Sequence, residues 1–599
     1  MSEATTRAEH AIVDVRPWLD ADLSIAQRVE LLLAEMTLEE KAGILFHSML
    51  PIGDLDTPNP MVPLPTAREL VVGKHMTHFN LLGAAPTAGE IARWHNALQS
   101  LAASTRLGIP VSVSSDPRHS FSDNPGAAIM SGPFSQWPEP LGLAAIGDEA
   151  VVERFGDIAR QEYTAVGLRV ALHPQVDLAT EPRWSRQVGT FGEDVELASR
   201  LGAAYIRGFQ GDSFGMGSVS TMTKHFPGGG PQKDGEDPHF PYGREQVYPG
   251  GEFELHLKPF EAAFEAGTRQ VMPYYGMPVG TEYEEVGFGF NKAIVTGLLR
   301  ERFGFDGVVC ADWGVLSDAI VFGDTHPARA WGVEDLTPLE RAKKALEAGV
   351  DQFGGEACPE LVVELVESGA VAEERVDVSV RRLLREKFEL GLFEDPYVDE
   401  AAANDIVGRA DFRQAGDAAQ RASITILTNG VVGSTGRPVL PIPRGRKIYV
   451  EGIEADAARN YGDVVASPAE ADVAILRLHA PFEQRATVFE NFFHAGSLAF
   501  PDDVLEHVRD VAESVPTVVD VMLDRPAIIE PIVEAAVAVT ANWGASGDAL
   551  LDVLTGGGGP RGRLPFDIPR SMVAVEASRP DVPFDTADPL FRHGHGLDL

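Results

Sequence analysis

The sequence predicts an α/β protein in two parts: a closed (β/α)8 barrel of the TIM type, then a second, open-sheet α/β domain. Three observations predict it. The chain has 599 residues, too many for one hydrophobic core. Its first 395 residues alternate eight short apolar runs with amphipathic helices, the order that builds a parallel sheet. The periodicity then lapses over 396–415 and resumes after it. We therefore expect a barrel domain at 1–395, a linker at 396–415 and a second domain at 416–599. On pattern alone, an open doubly wound sheet is the alternative for the first part.

The expected barrel strands are 43–46, 79–83, 109–115, 168–178, 218–226, 269–276, 306–312 and 348–355. Each is a short apolar run bounded by turn-forming or polar residues. Helices over 91–105 and 148–167 show apolar residues at three-to-four spacing. The strands share one habit: polar or aromatic residues gather where each ends. Ser114, Ser115 and Asp116 end one, Lys224 and His225 another, Tyr274 and Tyr275 a third, Asp312 and Trp313 a fourth. In a barrel these C-terminal ends surround one pocket. The connection 226–251, with seven glycines and five prolines, is long for a plain link and is expected to wall the pocket mouth. In the second domain, strands are expected at 423–429, 447–452, 471–478, 516–523 and 536–543, with helices such as 501–514 between them.

Composition narrows the function. The formal charge of −39 repels nucleic acid and anionic lipid, so neither nucleic acid nor a membrane is expected as a partner. A neutral substrate fits. Two cysteines, Cys310 and Cys358, exclude a disulfide framework. The N-terminus, MSEATTRAEH, is polar, and no apolar run approaches the roughly 20 residues that cross a bilayer, so a cytoplasmic location is expected. Oligomeric state, a homo-oligomer included, is not readable.

Motif chemistry narrows it further. No GxGxxG follows a strand and no GxxxxGK[ST] occurs; GGGG at 556–559 reads as a turn before Pro560. His173, His225 and His239 lack the spacing of a metal site, and Gly544-Ala545-Ser546-Gly547 lacks one residue of a nucleophile elbow. Neither metal nor cofactor is expected. What remains is carboxylates beside hydroxyl-binding groups. Splitting an acetal at a sugar takes two carboxyls, one for the anomeric carbon and one for the leaving oxygen. Charged hydrogen-bonders hold the hydroxyls and an aromatic plate covers the ring face. Asp116, Lys224, His225, Asp312 and Trp313 supply those types. Plainer readings stand beside this one: Asp312 capping a helix over LSDAIVFG, Asp116 as an Asx turn before Pro117, Lys224 and His225 as an ion cluster, Trp313 as core, and Phe489, Phe492, Phe493 and Phe500 as core.

GFDGVVCADW resembles the nucleophile motif of glycoside hydrolase family 3, and KHFPGGG its Lys-His motif. GIPVSVSSDPRH (108–119), EPRWSRQVGTFGED (181–194), GPRGRLPFDIP (559–569) and PLFRHGHGL (589–597) resemble further motifs of that family, in the family's order. The resemblance runs from about residue 25 to the C-terminus. It implies a barrel followed by an α/β sandwich domain, and retaining hydrolysis of β-glycosides without a cofactor. By motif, Asp312 is implied as nucleophile, with Asp116, Lys224, His225 and Arg186 holding sugar hydroxyls. Tyr275 is implied near the nucleophile and Trp313 against sugar or aglycone; a solvent-facing salt bridge is the plain reading of Arg186. In two-domain members the acid/base comes from the second domain. The matching stretch, 476–496, offers Glu483, which follows its strand closely, and Glu490 as the alternative. Such a glutamate needs a raised pKa and a place about 5 Å from the nucleophile.

Three departures stand out: Ala311 for the usual Ser, Gly189 where a glutamate is frequent, and Gly229 in the loop. Members acting on N-acetylglucosamine use an Asp-His pair in that loop. Here Asp237 and His239 are split by Pro238, which reads as a poor copy. With the presence of a second domain, this favours an exo-acting β-glucosidase releasing glucose. A β-xylosidase, a β-N-acetylhexosaminidase and an inactive sugar-binding scaffold are the alternatives.

Overall fold

The computed structural model describes residues 16–58, 64–122, 124, 129, 131–432 and 436–599; the polar stretch 1–10 lies outside them. Eight parallel strands close into a barrel: β1 (Phe46–Pro51), β2 (His78–Leu82), β3 (Ser112–Ser115), β4 (Leu168–Ala171), β5 (Ser220–Phe226), β6 (Gln270–Pro273), β7 (Val308–Ala311) and β8 (Gln352–Gly354). Closure is direct, with Phe46 opposite Phe353 and His47 opposite Gly354. Each expected run contributes to one strand. The first begins later than expected, because Leu38–Ile44 is a helix started by a Thr37–Glu40 capping box. An apolar run alone does not separate a helix end from a strand. Helices Ala88–Ala103 and Glu149–Ala165 form where the three-to-four spacing places them.

The helix considered over LSDAIVFG does not form. Ala319–Val321 and Asp324–His326 pair as an antiparallel hairpin around Phe322 and Gly323, both at positive φ (52° and 91°). Asp312 therefore caps no helix there.

The expected linker is largely helical, in Glu400–Ile406 and the start of Ala410–Ser423. Its alanine-rich sequence has few large apolar residues, so the helical period is faint. Beyond it lies a six-stranded sheet: β9 (Thr425–Asn429), β10 (Lys447–Glu451), β11 (Asp463–Val464), β12 (Val473–His479), β13 (Thr517–Met522) and β14 (Ala538–Asn542), in the order β9-β14-β13-β12-β10-β11. Only β9 is antiparallel to its neighbour. Alternate residues bury on opposite faces: Val519, Val521 and Val539 in one core, Val518, Ile475 and Ala538 in the other. That makes the domain an α/β sandwich.

Buried bonds join the two domains. The Glu193 carboxylate accepts from Asp567 N (2.7 Å) and Phe584 N (2.8 Å). Glu139 N donates to Trp543 O at 2.8 Å. Among the described residues, no helix is long and apolar enough to cross a membrane.

Candidate active site

Seven residues singled out in the barrel sequence (Asp116, Arg186, Lys224, His225, Tyr275, Asp312 and Trp313) line one cavity of about 220 Å³ at the C-terminal ends of the strands. Asp312 follows the last residue of β7. Its Oδ1 accepts from Trp313 N at 2.8 Å, which fixes the carboxylate plane. Its Oδ2 is buried with no hydrogen-bond partner in the protein. Tyr275, after β6, donates its hydroxyl to Trp313 O at 2.8 Å and so pins the backbone behind the carboxylate. Burial first, then the neighbouring Asp312, push the Tyr275 phenol far above its ordinary pKa, so it stays a donor.

Trp313 lies flat on β8's exit. A Cβ on Gly354 would meet its ring at 2.5 Å, and one on Gly355 at 2.7 Å, so glycine is required for this approach. The imidazole of His47, 5.3 Å away between centroids, also adjoins the indole.

The hydroxyl-binding groups form a second cluster. Lys224 Nζ donates to Asp116 Oδ1 at 3.2 Å, and Asn80 Nδ2 to Asp116 Oδ2 at 3.1 Å. Both donors hold the carboxylate in place without saturating it. His225 Nδ1 pairs with Asp177 Oδ2 at 2.8 Å, and its Nε2 lies 3.3 Å from Arg186 Nη2. Burial, then Arg186, hold the His225 pKa well below the usual range. The neutral ring thus keeps its proton on Nδ1, toward the carboxylate. Arg186 sits in the short 3-10 turn Ser185–Gly189, fully interior, not in a surface salt bridge. Burial opposes its charge, but Tyr274, Asp237, Asp312 and Asp177 outweigh it and raise its pKa. Gly189 is explained locally: a Cβ there would come 2.9 Å from Gln175 Oε1, the atom that accepts from Arg186 Nη2 at 3.4 Å. Gln175 thus supplies an acceptor beside Arg186 where the usual glutamate is missing.

The second-domain carboxyls are placed differently from expectation. Glu483 is exposed and outside the lining of the cavity. Its Oε1 accepts from Ser497 N at 3.1 Å, and its backbone N donates to Ala495 O at 3.0 Å, so a closed local loop turns the carboxylate away. Glu490 is spent on its own turn: Oε2 accepts from Thr487 N and Oγ1, both at 2.9 Å, and Oε1 from Tyr242 Oη at 3.0 Å. Burial works against it, but those bonds outweigh burial and lower its pKa. Phe489 from the same stretch does reach the cavity wall, and Phe493 is buried beside it; Phe500 belongs to the sandwich core.

Asp237 and His239, expected to be parted by Pro238, form a pair. Asp237 Oδ1 meets His239 Nδ1 at 2.6 Å and also accepts from His239 N at 2.9 Å, so Pro238 closes a tight turn instead of parting the two. Ser185 Oγ holds the other oxygen at 3.2 Å. His239 lines the cavity with Asp312, its ring 4.7 Å from that of Tyr275. Burial lowers its pKa, with Asp237 opposing. Asn80 and Arg329 are lining residues the sequence reading missed. Asn80 carried a signal, a lone polar residue in a buried run; Arg329 carried none.

A half-enclosed cavity with a tethered carboxylate, a hydroxyl-binding cluster and an indole plate, at the top of a (β/α)8 barrel, is the site of a glycoside hydrolase. Comparison with known proteins agrees. The model of the glycosyl hydrolase family 3 N-terminal domain matches residues 66–386, and that of the family 3 C-terminal domain matches 336–599. The chain belongs to glycosyl hydrolase family 3. Beta-glucosidase C of Emericella nidulans is 52% identical over 586 residues, covering 97% of this chain and 93% of its own. A periplasmic beta-glucosidase/beta-xylosidase of Dickeya chrysanthemi is 42% identical over 608 residues, covering 97% and 91%. Among solved structures, a beta-glucosidase from Listeria innocua in complex with glucose superposes with a TM-score of 0.74 at 24% identity, over 96% of this chain and 83% of its own, which speaks for the fold.

Proposed function

We propose that the protein is a retaining, exo-acting β-glucosidase. The observation that carries the reading is Asp312 Oδ2, buried and unpartnered, in one cavity with the Asp116–Lys224 cluster. In this reading the terminal glucose sits on the floor, its hydroxyls on Asp116, Lys224, His225 and Arg186, its ring face on Trp313. Asp312 Oδ2 attacks the anomeric carbon as the glycosidic C–O bond breaks, and the leaving oxygen takes a proton. Water then attacks the glycosyl ester, gives up a proton, and frees glucose and the Asp312 carboxylate. The names of the relatives support glucose; that of the Dickeya protein supports β-xylosidase as a second activity to test.

Geometry favours His239, oriented by Asp237, as the proton carrier. Glu483 is the second reading, because its loop already brings Phe489 to the cavity. Trapping with a 2-deoxy-2-fluoroglucoside tests the nucleophile: the label belongs on Asp312, and a label elsewhere ends the reading. Asp312→Ala separates an enzyme from a sugar-binding scaffold, since only an enzyme has turnover to lose. His239→Asn and Glu483→Gln separate the proton carriers: loss of the true one lowers kcat/KM about 10²–10⁴-fold on alkyl glucosides and little on dinitrophenyl glucosides, whose leaving group needs no proton, while kcat falls on both because water still has to give up its proton in the second step. With His239 as donor, the protonated fraction falls as pH rises through a pKa below 6.5, so alkyl-glucoside hydrolysis declines above that limb. A panel of nitrophenyl glycosides ranks glucose against xylose and N-acetylglucosamine. Cell fractionation tests the cytoplasmic expectation against the periplasm named for the Dickeya relative.

A further inference from the structure

The mouth of the cavity differs in kind from its floor. The floor holds the charged groups Asp116, Arg186, Lys224 and Asp312, with Leu172 and Met272 between them. The mouth is walled by Ala319, Ile320, Val321 and Phe322 of the hairpin and by Phe489 of the second domain. Ile320 and Phe322 are 55% and 54% exposed, beside a cavity that otherwise hides its apolar lining. The Phe322 ring stacks on Phe492 across the domain boundary, centroids 5.7 Å apart and planes at 28°. Behind them, Phe240, Phe489 and Phe493 form a buried cluster against which Val321 and Phe492 rest. The apolar surface thus runs unbroken from the hairpin to the second domain.

The hairpin turn also breaks a local rule. A two-residue turn with both φ values positive favours Asn-Gly or Asp-Gly. Here Phe322 takes the first position at φ 52°, where a bulky side chain is disfavoured. Burial does not explain the choice, because the ring is half in solvent. A strained residue held beside a cavity points to a ligand.

We propose that this hairpin and the Phe322–Phe492 pair form the binding site for an apolar aglycone. The preferred substrates are then β-glucosides of alkyl or aryl alcohols, not cello-oligosaccharides. The proposal rests on the β-glucosidase reading above. A second glucose would bring hydroxyls that need partners, and Ala319, Ile320, Val321, Phe322 and Phe489 have side chains with none to give. An alkyl chain or aromatic ring loses nothing there and is removed from water.

The test compares kcat/KM for methyl and hexyl β-glucosides and for cellobiose. Burying methylenes is worth about two- to fourfold each where they meet the platform, so hexyl should exceed methyl at least about tenfold and should exceed cellobiose. Phe322→Asn removes the ring and suits the turn better, so the fold should hold; Ile320→Thr keeps a β-branched residue on the strand. In each, the hexyl-to-methyl ratio should fall severalfold. A ratio near one in the native protein, or one that survives both substitutions, overturns the proposal. If xylosides are cleaved and glucosides are not, the glucosidase reading fails, and the hexyl-to-methyl ratio on xylosides still tests the platform. If no glycoside is turned over, calorimetric affinities of hexyl and methyl glucoside give the same ratio.

Discussion

The two ends of the barrel bury the same kinds of charged residue and use them in opposite ways. At the N-terminal end Lys387 is interior and gives its three protons to Thr77 O (3.0 Å), Pro110 O (2.9 Å) and Ser112 Oγ (2.8 Å). Asp351 accepts four bonds: from Ser379 Oγ and Arg382 Nη1 on Oδ1, and from Arg300 Nη2 and Val309 N on Oδ2. At the C-terminal end Asp312 Oδ2, Asn80 Oδ1, Trp313 Nε1 and Arg329 Nε are buried without a partner in the protein. Lys387 and Asp351, with their polar atoms bonded, hold the fold; Asp312, with one oxygen left open in a cavity, waits for a ligand. Burial depresses the Lys387 amine far below its ordinary pKa. A perturbed pKa alone would therefore have marked the wrong end of the barrel.

Exchanging the two aspartates breaks the comparison if it is wrong. Asp312→Asn should lower kcat/KM by about 10⁴-fold or more while leaving the melting temperature within about 2 °C, because the lost charge supports few contacts. Asp351→Ala takes the carboxylate away from Arg300 Nη2, Val309 N and Ser379 Oγ, while Arg382 keeps Asp306, and should cost about 3–5 kcal/mol of stability. Calorimetry beside steady-state kinetics reads both. Equal destabilisation by the two would refute the contrast.

A second contrast lies at the domain interface, where a buried carboxyl is bonded yet uneasy. Burial raises the Glu193 pKa from 4.5 to about 8, despite the bonds from Asp567 N and Phe584 N. The folded-state value lies above the unfolded one. Its contribution is therefore complete below about pH 4.5 and is lost as pH climbs toward 8, where the unfolded chain holds fewer protons than the folded one. Glu139 and Asp177, both near 6, and Glu386, near 7, act in the same direction. The melting temperature should fall from pH 5 to pH 8, and Glu193→Gln should flatten that slope by a few degrees. An unchanged slope would remove Glu193 from the account.

The barrel half of this site was legible because strand ends write themselves into sequence. A buried run that stops at Asp312 and Trp313, or at Lys224 and His225, places those residues at a known height around a known axis. The second-domain half was not. Glu483 and Glu490 lie on an irregular loop whose direction is set by distant partners: Ser497 for one, Tyr242 for the other. Spacing misled at Asp237 and His239, since a proline between them looks like a separator until the turn it makes is seen. The hairpin was misread because LSDAIVFG has helical spacing, while its end, Phe322-Gly323, is the pair that turns the chain.

The smallest expected effect concerns what holds that loop. Arg525 is fully buried and serves five carbonyls: Arg183 (2.9 Å) and Gly496 (3.2 Å) from Nη1, and Pro481 (2.7 Å), Ala495 (3.1 Å) and Ser497 (3.3 Å) from Nη2. Burial lowers its pKa only to about 10, so it remains charged at neutral pH. Both ends of the loop that carries Glu483, Phe489 and Phe492 thus hang on one guanidinium, which also ties them to the barrel. Lysine keeps the charge but has three donors where five carbonyls wait. Arg525→Lys should loosen the loop and blunt the aromatic platform, raising KM for hexyl glucoside about three- to tenfold, with a smaller change for methyl glucoside. A fall in kcat shared equally by the two substrates would place the loop in the chemistry, and with it Glu483 as the proton carrier in place of His239.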